Sequence, residues 1–199
     1  IHNLLTTPQV WQKSQADIPN FGFTPSPHWF HINLKNTGDK ESRRLLNIAY
    51  PLLDYINFYI VENGVIKRHI NNGDQLPFSE RLVKHRQFIF PVVLKPQQET
   101  HIYIRIETSS SMQLPLELWN QQAFFERDQI NLFGQGLFFG MLAIMGLYNL
   151  FMWLGTRDKS YAFYVLYVLG IGLFQLTFHG LAYQLLWPEA PWINDKAIG

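Results

Sequence analysis

Between Asp128 and Glu189 the chain carries only three charged residues, Arg157, Asp158 and Lys159, and they are consecutive. This triplet leaves two uncharged stretches, Leu132 to Leu154 and Tyr161 to Leu181. Each is long enough to cross a bilayer, since a spanning helix needs about 20 predominantly apolar residues. The first has apolar side chains on every side of a helix, including Phe133, Leu137, Leu142, Leu147 and Trp153. Lipid or a large helical bundle must therefore surround it. Gly136, Gly140 and Asn149 are its positions for helix packing, because small residues let backbones approach closely in lipid and the two glycines form a small-xxx-small pair. The second stretch contains Gly170, Gly172, Gln175 and His179, polar enough to want helical neighbours. His179, ionisable but near the outer end of its span, reads as a hydrogen-bonding group at the interface. Tyr161, Phe163 and Tyr164 at one end and Tyr183, Trp187 and Trp192 at the other suit lipid headgroups. Arg157 and Lys159 keep the turn between the spans in the cytoplasm, which puts the N-terminal part outside.

That N-terminal part reads as a solvated globule. Up to Asp128 it holds 13 Lys/Arg and 12 Asp/Glu, scattered a few residues apart. A nucleic-acid binder would gather its cations on one face to replace phosphate counterions, and no such run exists. Nucleic acid is excluded as a partner. Cysteine is absent, which discriminates no compartment. With no initiator Met at Ile1 and no recognisable ending at Gly199, both termini read as cuts in a longer chain.

Pro19, Gly22, Pro51, Gly73, Pro77, Pro91, Pro96 and Pro115 leave intervals too short for ordinary helices but adequate for strands. In His101 to Thr108, Ile102, Ile104 and Ile106 alternate with Tyr103, Arg105 and Glu107, the pattern of a half-buried strand. Ile56, Phe58 and Ile60 alternate likewise, and Asn63-Gly64 supplies a tight turn before Val65 to Ile70. Further strands are expected at Trp29 to Leu34, Arg44 to Ile48, Gln87 to Leu94 and Leu114 to Trp119. Seven strands imply a mainly β, antiparallel sandwich or jelly roll over residues 1–125. The membrane part occupies 126–199, with spans at about 132–154 and 161–182.

Several blocks resemble one family. In the soluble part they are Phe21-Gly22-Phe23-Thr24, His28-Trp29-Phe30, Pro51-Leu52-Leu53-Asp54-Tyr55, Gly73-Asp74-Gln75-Leu76-Pro77-Phe78-Ser79-Glu80-Arg81 and Pro115-Leu116-Glu117-Leu118-Trp119. In the membrane part they are Gly146-Leu147-Tyr148-Asn149-Leu150, Arg157-Asp158-Lys159-Ser160-Tyr161 and the run from Gly180 to Pro188. In order and spacing these blocks resemble the bacterial seven-transmembrane receptors with diverse intracellular signalling modules. The chain departs from them at His31, where the family often has a basic residue such as Arg. The resemblance implies a jelly roll similar to carbohydrate-binding modules, five further helices, a cytoplasmic kinase or cyclase module, and a bacterial inner-membrane location with the first domain periplasmic. It also implies a small extracytoplasmic ligand, a carbohydrate or glycan at family level, or another receptor's periplasmic domain as partner. A homodimer is compatible with it.

For such a ligand the aromatic candidates are Trp29, Tyr55, Tyr59, Tyr103 and Trp119, although aromatic residues more commonly serve core packing. Asp74 and Arg81 could hold a ligand or brace their own loop. The site expected is Trp29, Asp74, Arg81, Tyr103 and Trp119. His28 and His31 are three apart, so a strand turns them to opposite faces and no metal site is expected. No cofactor and no catalytic residue is expected either, since the chain lacks a Gly-x-Ser-x-Gly elbow, a phosphate loop and a Cys nucleophile. Two functions fit: a receptor that signals across the membrane, and a membrane-anchored glycan-binding module that does not.

Overall fold

In the computed structural model, which describes residues 1, 11–24 and 26–193, the alternating segments become strands and the apolar stretches helices. The strands are β1 (Asn20–Phe23), β2 (His28–Lys35), β3 (Ser42–Ile48), β4 (Tyr55–Glu62), β5 (Val65–Asn72), β6 (Phe88–Leu94), β7 (Glu99–Glu107), β8 (Ser111–Gln113) and β9 (Leu116–Asn120). The helices are α1 (Gln121–Thr156), α2 (Lys159–Phe178) and the short α3 (Leu181–Leu185). Seven strands match the expected segments to within a few residues. β1 and β8, which pair only with each other, were not anticipated, because each is too short to show a period.

The strands form a four-stranded antiparallel sheet, β2-β7-β4-β5, and a three-stranded one, β6-β3-β9. Alternation sends Ile56, Phe58 and Ile60 of β4 and Ile102, Ile104 and Ile106 of β7 inward to meet Leu46, Ile48, Phe88 and Phe90 of the other sheet. Phe58 and Phe90 stack across the two sheets, with centroids 4.3 Å apart. Burying an aliphatic or aromatic side chain of this size contributes about 1.5–3 kcal/mol, so this interior holds the domain together. Asn63-Gly64 forms the β4–β5 turn with φ of 52° and 74°. Pro91 is accommodated within β6 because that strand is a sheet edge, where a missing N–H is tolerated.

The step from strand to helix has no linker. Asn120 ends β9 and caps α1, its Oδ1 accepting from Gln122 N at 3.0 Å. The sequence suggests a dozen connecting residues before the span at 132. They are instead the first three turns of α1, a helix of 36 residues and about 54 Å at 1.5 Å per residue. Charged Glu126, Arg127 and Asp128 make this portion resemble surface in the sequence, yet nothing there breaks the helical period.

α1 and α2 are both long and apolar enough to span a membrane. Only 11% of the most apolar window of α2, and none of that of α1, is buried within the chain, so neither is the core helix of a globule. Their turn is Arg157, a left-handed cap at φ 59°, and Asp158, whose carboxylate accepts from Ser160 N at 2.9 Å. α2 ends earlier than the expected span, because Gly180 turns the chain at φ 73° and α3 leads back towards the sandwich.

Candidate ligand-binding face and membrane junction

Because side chains alternate across a strand, antiparallel register aligns the outward residues of the four-stranded sheet into rows. One row runs His31 (β2), Tyr103 (β7), Tyr59 (β4), His69 (β5), aromatic or imidazole at every strand. The adjacent row is Trp29, Arg105, Asn57, Asn71. His31 lies flat on Tyr103 at 4.5 Å and 10°, Tyr59 on His69 at 4.3 Å and 2°, and Trp29 on Tyr59 at 5.9 Å. Trp11 adds an edge, 5.3 Å from His31 and 6.0 Å from Tyr103. Most members are half-buried and His69 is exposed, so ring faces stay open to solvent. Polar groups border the rings: Arg105 is paired to Glu107 at 2.7 Å, and Asn57 meets His69 at 3.5 Å. His31 Nε2 lies 3.1 Å from His101 Nδ1. Burial first, and the neighbouring His101 second, hold the His31 pKa below its ordinary value.

Of the expected ligand residues, this face brings together Trp29 and Tyr103. It also gathers Tyr59, His31, His69, His101 and Trp11, of which the residue-level reading weighed only Tyr59 as a ligand group. A register joining residues 70 positions apart is what assembles them, and no local pattern carries that. His28, by contrast, turns to the other side of β2 and lies tilted against Phe21, with ring centroids 4.7 Å apart.

Trp119 lies elsewhere. It projects from the outer face of the three-stranded sheet, beside Leu45 and Ile89, where α1 covers it. Phe124 packs edge-on against it at 6.5 Å, and the Arg127 guanidinium sits 4.9 Å from its ring. Asp74 and Arg81 lie in a third place, both buried, in the loops facing α3. Arg81 donates to the carbonyls of His85 and Arg86, at 2.8 and 3.1 Å, between the rings of Phe78, Phe88 and Tyr183. Burial lowers its pKa to about 10, opposed by Tyr183 and Asp74, so it remains a cation at neutral pH. Gly73, just before Asp74, is obligatory: a Cβ there would lie 1.9 Å from Asp54 O.

The same loops clasp the helices. Asp128, two turns into α1, receives His85 Nε2 at 3.1 Å and the Arg86 guanidinium at 2.5 Å. His85 Nδ1 accepts from Gln87 N at 3.1 Å, so the neutral ring carries its proton on Nε2 and donates it to Asp128. Desolvation accordingly prevails over the attraction of Asp128, and the His85 pKa is lowered. On the far side, Tyr183 Oη donates to Leu76 O, Phe78 N to Pro188 O at 2.8 Å, and Ser79 Oγ to Glu189 Oε2 at 3.0 Å. Burial raises the Tyr183 pKa to about 12. A Cβ at Gly180 would stand 2.9 Å from Pro51 Cβ, so only glycine fits where α2 meets the sandwich. Between the helices, contact falls at Gly146 against Val168 (3.8 Å) and Gly172 against Leu142 (3.9 Å). Gly136 and Gly140 face open space within this chain, and the Asn149 amide donates to Met145 O at 2.8 Å.

A β-sandwich standing directly on helices long and apolar enough to cross a bilayer, and clasped to them, is the architecture of a membrane protein with a folded domain outside the lipid. Residues 2–120 match the family model described as 7TMR-DISM extracellular 2, and residues 131–199 match 7TM diverse intracellular signalling. The chain belongs to this family of seven-transmembrane receptors with diverse intracellular signalling modules. Among curated proteins none matches it.

Proposed function

We propose that this chain is the sensing end of a signalling receptor of the bacterial inner membrane. Its sandwich lies in the periplasm and takes a carbohydrate, as free sugar or glycan fragment, on the aromatic face of the four-stranded sheet. The observation that carries the reading is the half-exposed row His31, Tyr103, Tyr59, His69, edged by Trp11 and bordered by Trp29, Arg105, Asn57 and Asn71. Ring faces suit the C–H faces of a pyranose, and the guanidinium and amides at the border suit its hydroxyls. Arg157 and Lys159, in the turn between the helices, favour a cytoplasmic side for that turn and hence a periplasmic sandwich.

Binding is transmitted because the sandwich is not tethered loosely. Asn120 makes β9 and α1 one continuous element, and Asp128 and Tyr183 tie each helix end to the loops below the sandwich. A ligand that prefers one arrangement of sandwich on helices shifts the helix packing, and through it a cytoplasmic output module, by its difference in affinity for the two arrangements.

Glycan-array binding by the full chain in nanodiscs tests the reading. A defined glycan class is expected to bind, and Tyr59→Ala and Tyr103→Ala are each expected to weaken binding at least tenfold. Equal binding by both variants and the parent would overturn the assignment of the face.

A further inference from the structure

Where α1 and α2 meet the sandwich they surround a chamber of about 650 Å³. Among its largely apolar walls it carries a set of amide and imidazole groups: Gln87 from the sandwich, Asn131 and Gln135 from α1, Gln175 and His179 from α2. The Oε1 of Gln135 is shielded from solvent without a hydrogen-bond partner. Leaving such a group unpaired is unfavourable, so its retention points to a donor that completes it. His179 Nδ1 lies 2.8 Å from Gln175 O and must donate to it, which leaves Nε2 of the neutral ring as a second acceptor. The one formal cation of the lining, Arg86, is neutralised by Asp128. The chamber therefore suits a head with no net charge that offers N–H donors.

Below it, Phe139 forms a wall shared with a second space of about 680 Å³, an almost entirely apolar slot between the helices. Leu142, Gly146 and Leu150 line it from α1, and Val165, Leu169 and Gly172 from α2. From Gln135 to Leu150 the rise is about 22 Å, which exceeds the roughly 15 Å hydrocarbon depth of one leaflet. The 20 residues of α2 span about 30 Å, so with Lys159 at one membrane surface His179 reaches the other, and Gln175, about 24 Å along, lies one turn inside it. A chamber that brings amide and imidazole groups to the edge of the hydrocarbon, opening onto an apolar slot one acyl chain long, has the shape and polarity of an amphiphile.

We infer that this junction holds one zwitterionic phospholipid with a primary ammonium head, drawn from the leaflet on the sandwich's side. The ammonium donates to Gln135 Oε1 and His179 Nε2, the amide N–H groups of Asn131 and Gln175 serve the phosphate, and an acyl chain fills the slot. The lipid is then a structural wall between sandwich and helices, independent of what the aromatic face binds.

Native mass spectrometry of the full chain released from nanodiscs tests this. From phosphatidylethanolamine discs one retained lipid per chain is expected. From phosphatidylcholine discs, whose head has the same net charge but no N–H donor, retention should fall at least tenfold. Gln135→Leu with Gln175→Leu should abolish the preference between the two lipids, and Ala143→Phe, which plugs the slot and leaves the chamber intact, should reduce retention of both. Phe163→Leu, on the exposed surface of α2, should change nothing. Equal retention of the two lipids by the parent chain, or no lipid retained by it, overturns the proposal.

Discussion

The two sheets of the sandwich carry similar aromatic residues on their outer faces and use them oppositely. On the three-stranded sheet Trp119 is covered by Phe124 and Arg127 of α1, so its ring serves to seat the domain on the membrane helix. On the four-stranded sheet Tyr103 and Tyr59 stack with residues of their own face, and of the rest of the described chain Trp11 lies at the edge beside Tyr103. A sheet face left aromatic and open is available for recognition, and one sealed by its own helix is a joint.

The largest effect should come from breaking the joint. Asp128→Ala removes the partner of the buried Arg86 guanidinium, and losing one side of such a pair costs on the order of 3–5 kcal/mol. Thermal unfolding of the detergent-solubilised chain, followed by tryptophan fluorescence, should show a lower midpoint, and an unchanged midpoint would deny that the clasp stabilises the domain. Next, Phe124→Ala should cost about 3 kcal/mol as a core truncation, whereas Tyr103→Ala on the open face should cost about 1 kcal/mol. Equal penalties would erase the distinction between the faces. The smallest effect is with pH. His31 and His85 are both held below their ordinary value, chiefly by burial. Above about pH 6.5 the folded and unfolded chains are both neutral at these positions. Below it the unfolded chain takes up protons that the folded rings refuse, so stability declines as pH drops from 6.5 towards 5. Unfolding midpoints at pH 7.5, 6.5 and 5.5 check the sign, and a midpoint that rises with acid would contradict it.

Much of this architecture is legible along the chain. The isoleucine alternation of 102, 104 and 106, the Asn63-Gly64 turn and the charge gap after Asp128 each report a local or compositional constraint, and each yields its element. The site is less legible, because Trp119 and Tyr103 have the same signature in sequence, an aromatic residue in an alternating strand. What separates them is whether a helix lies over the face, and that depends on where α1 leaves β9. In sequence Asp74 and Arg81 read either as ligand groups or as braces of their own loop. Burial against Tyr183, more than a hundred positions away, is what makes Arg81 a brace.

The sharing of Asn120 between strand and helix fixes the azimuth of α1 as firmly as its position. Each residue of an α-helix advances about 100°, so a single insertion after Asn120 would swing the carboxylate of Asp128 a quarter-turn and more away from Arg86, whereas a four-residue insertion would bring it back to within about 40°. The junction thus behaves as a keyed shaft, indifferent to small stretching yet intolerant of being wound by one tooth.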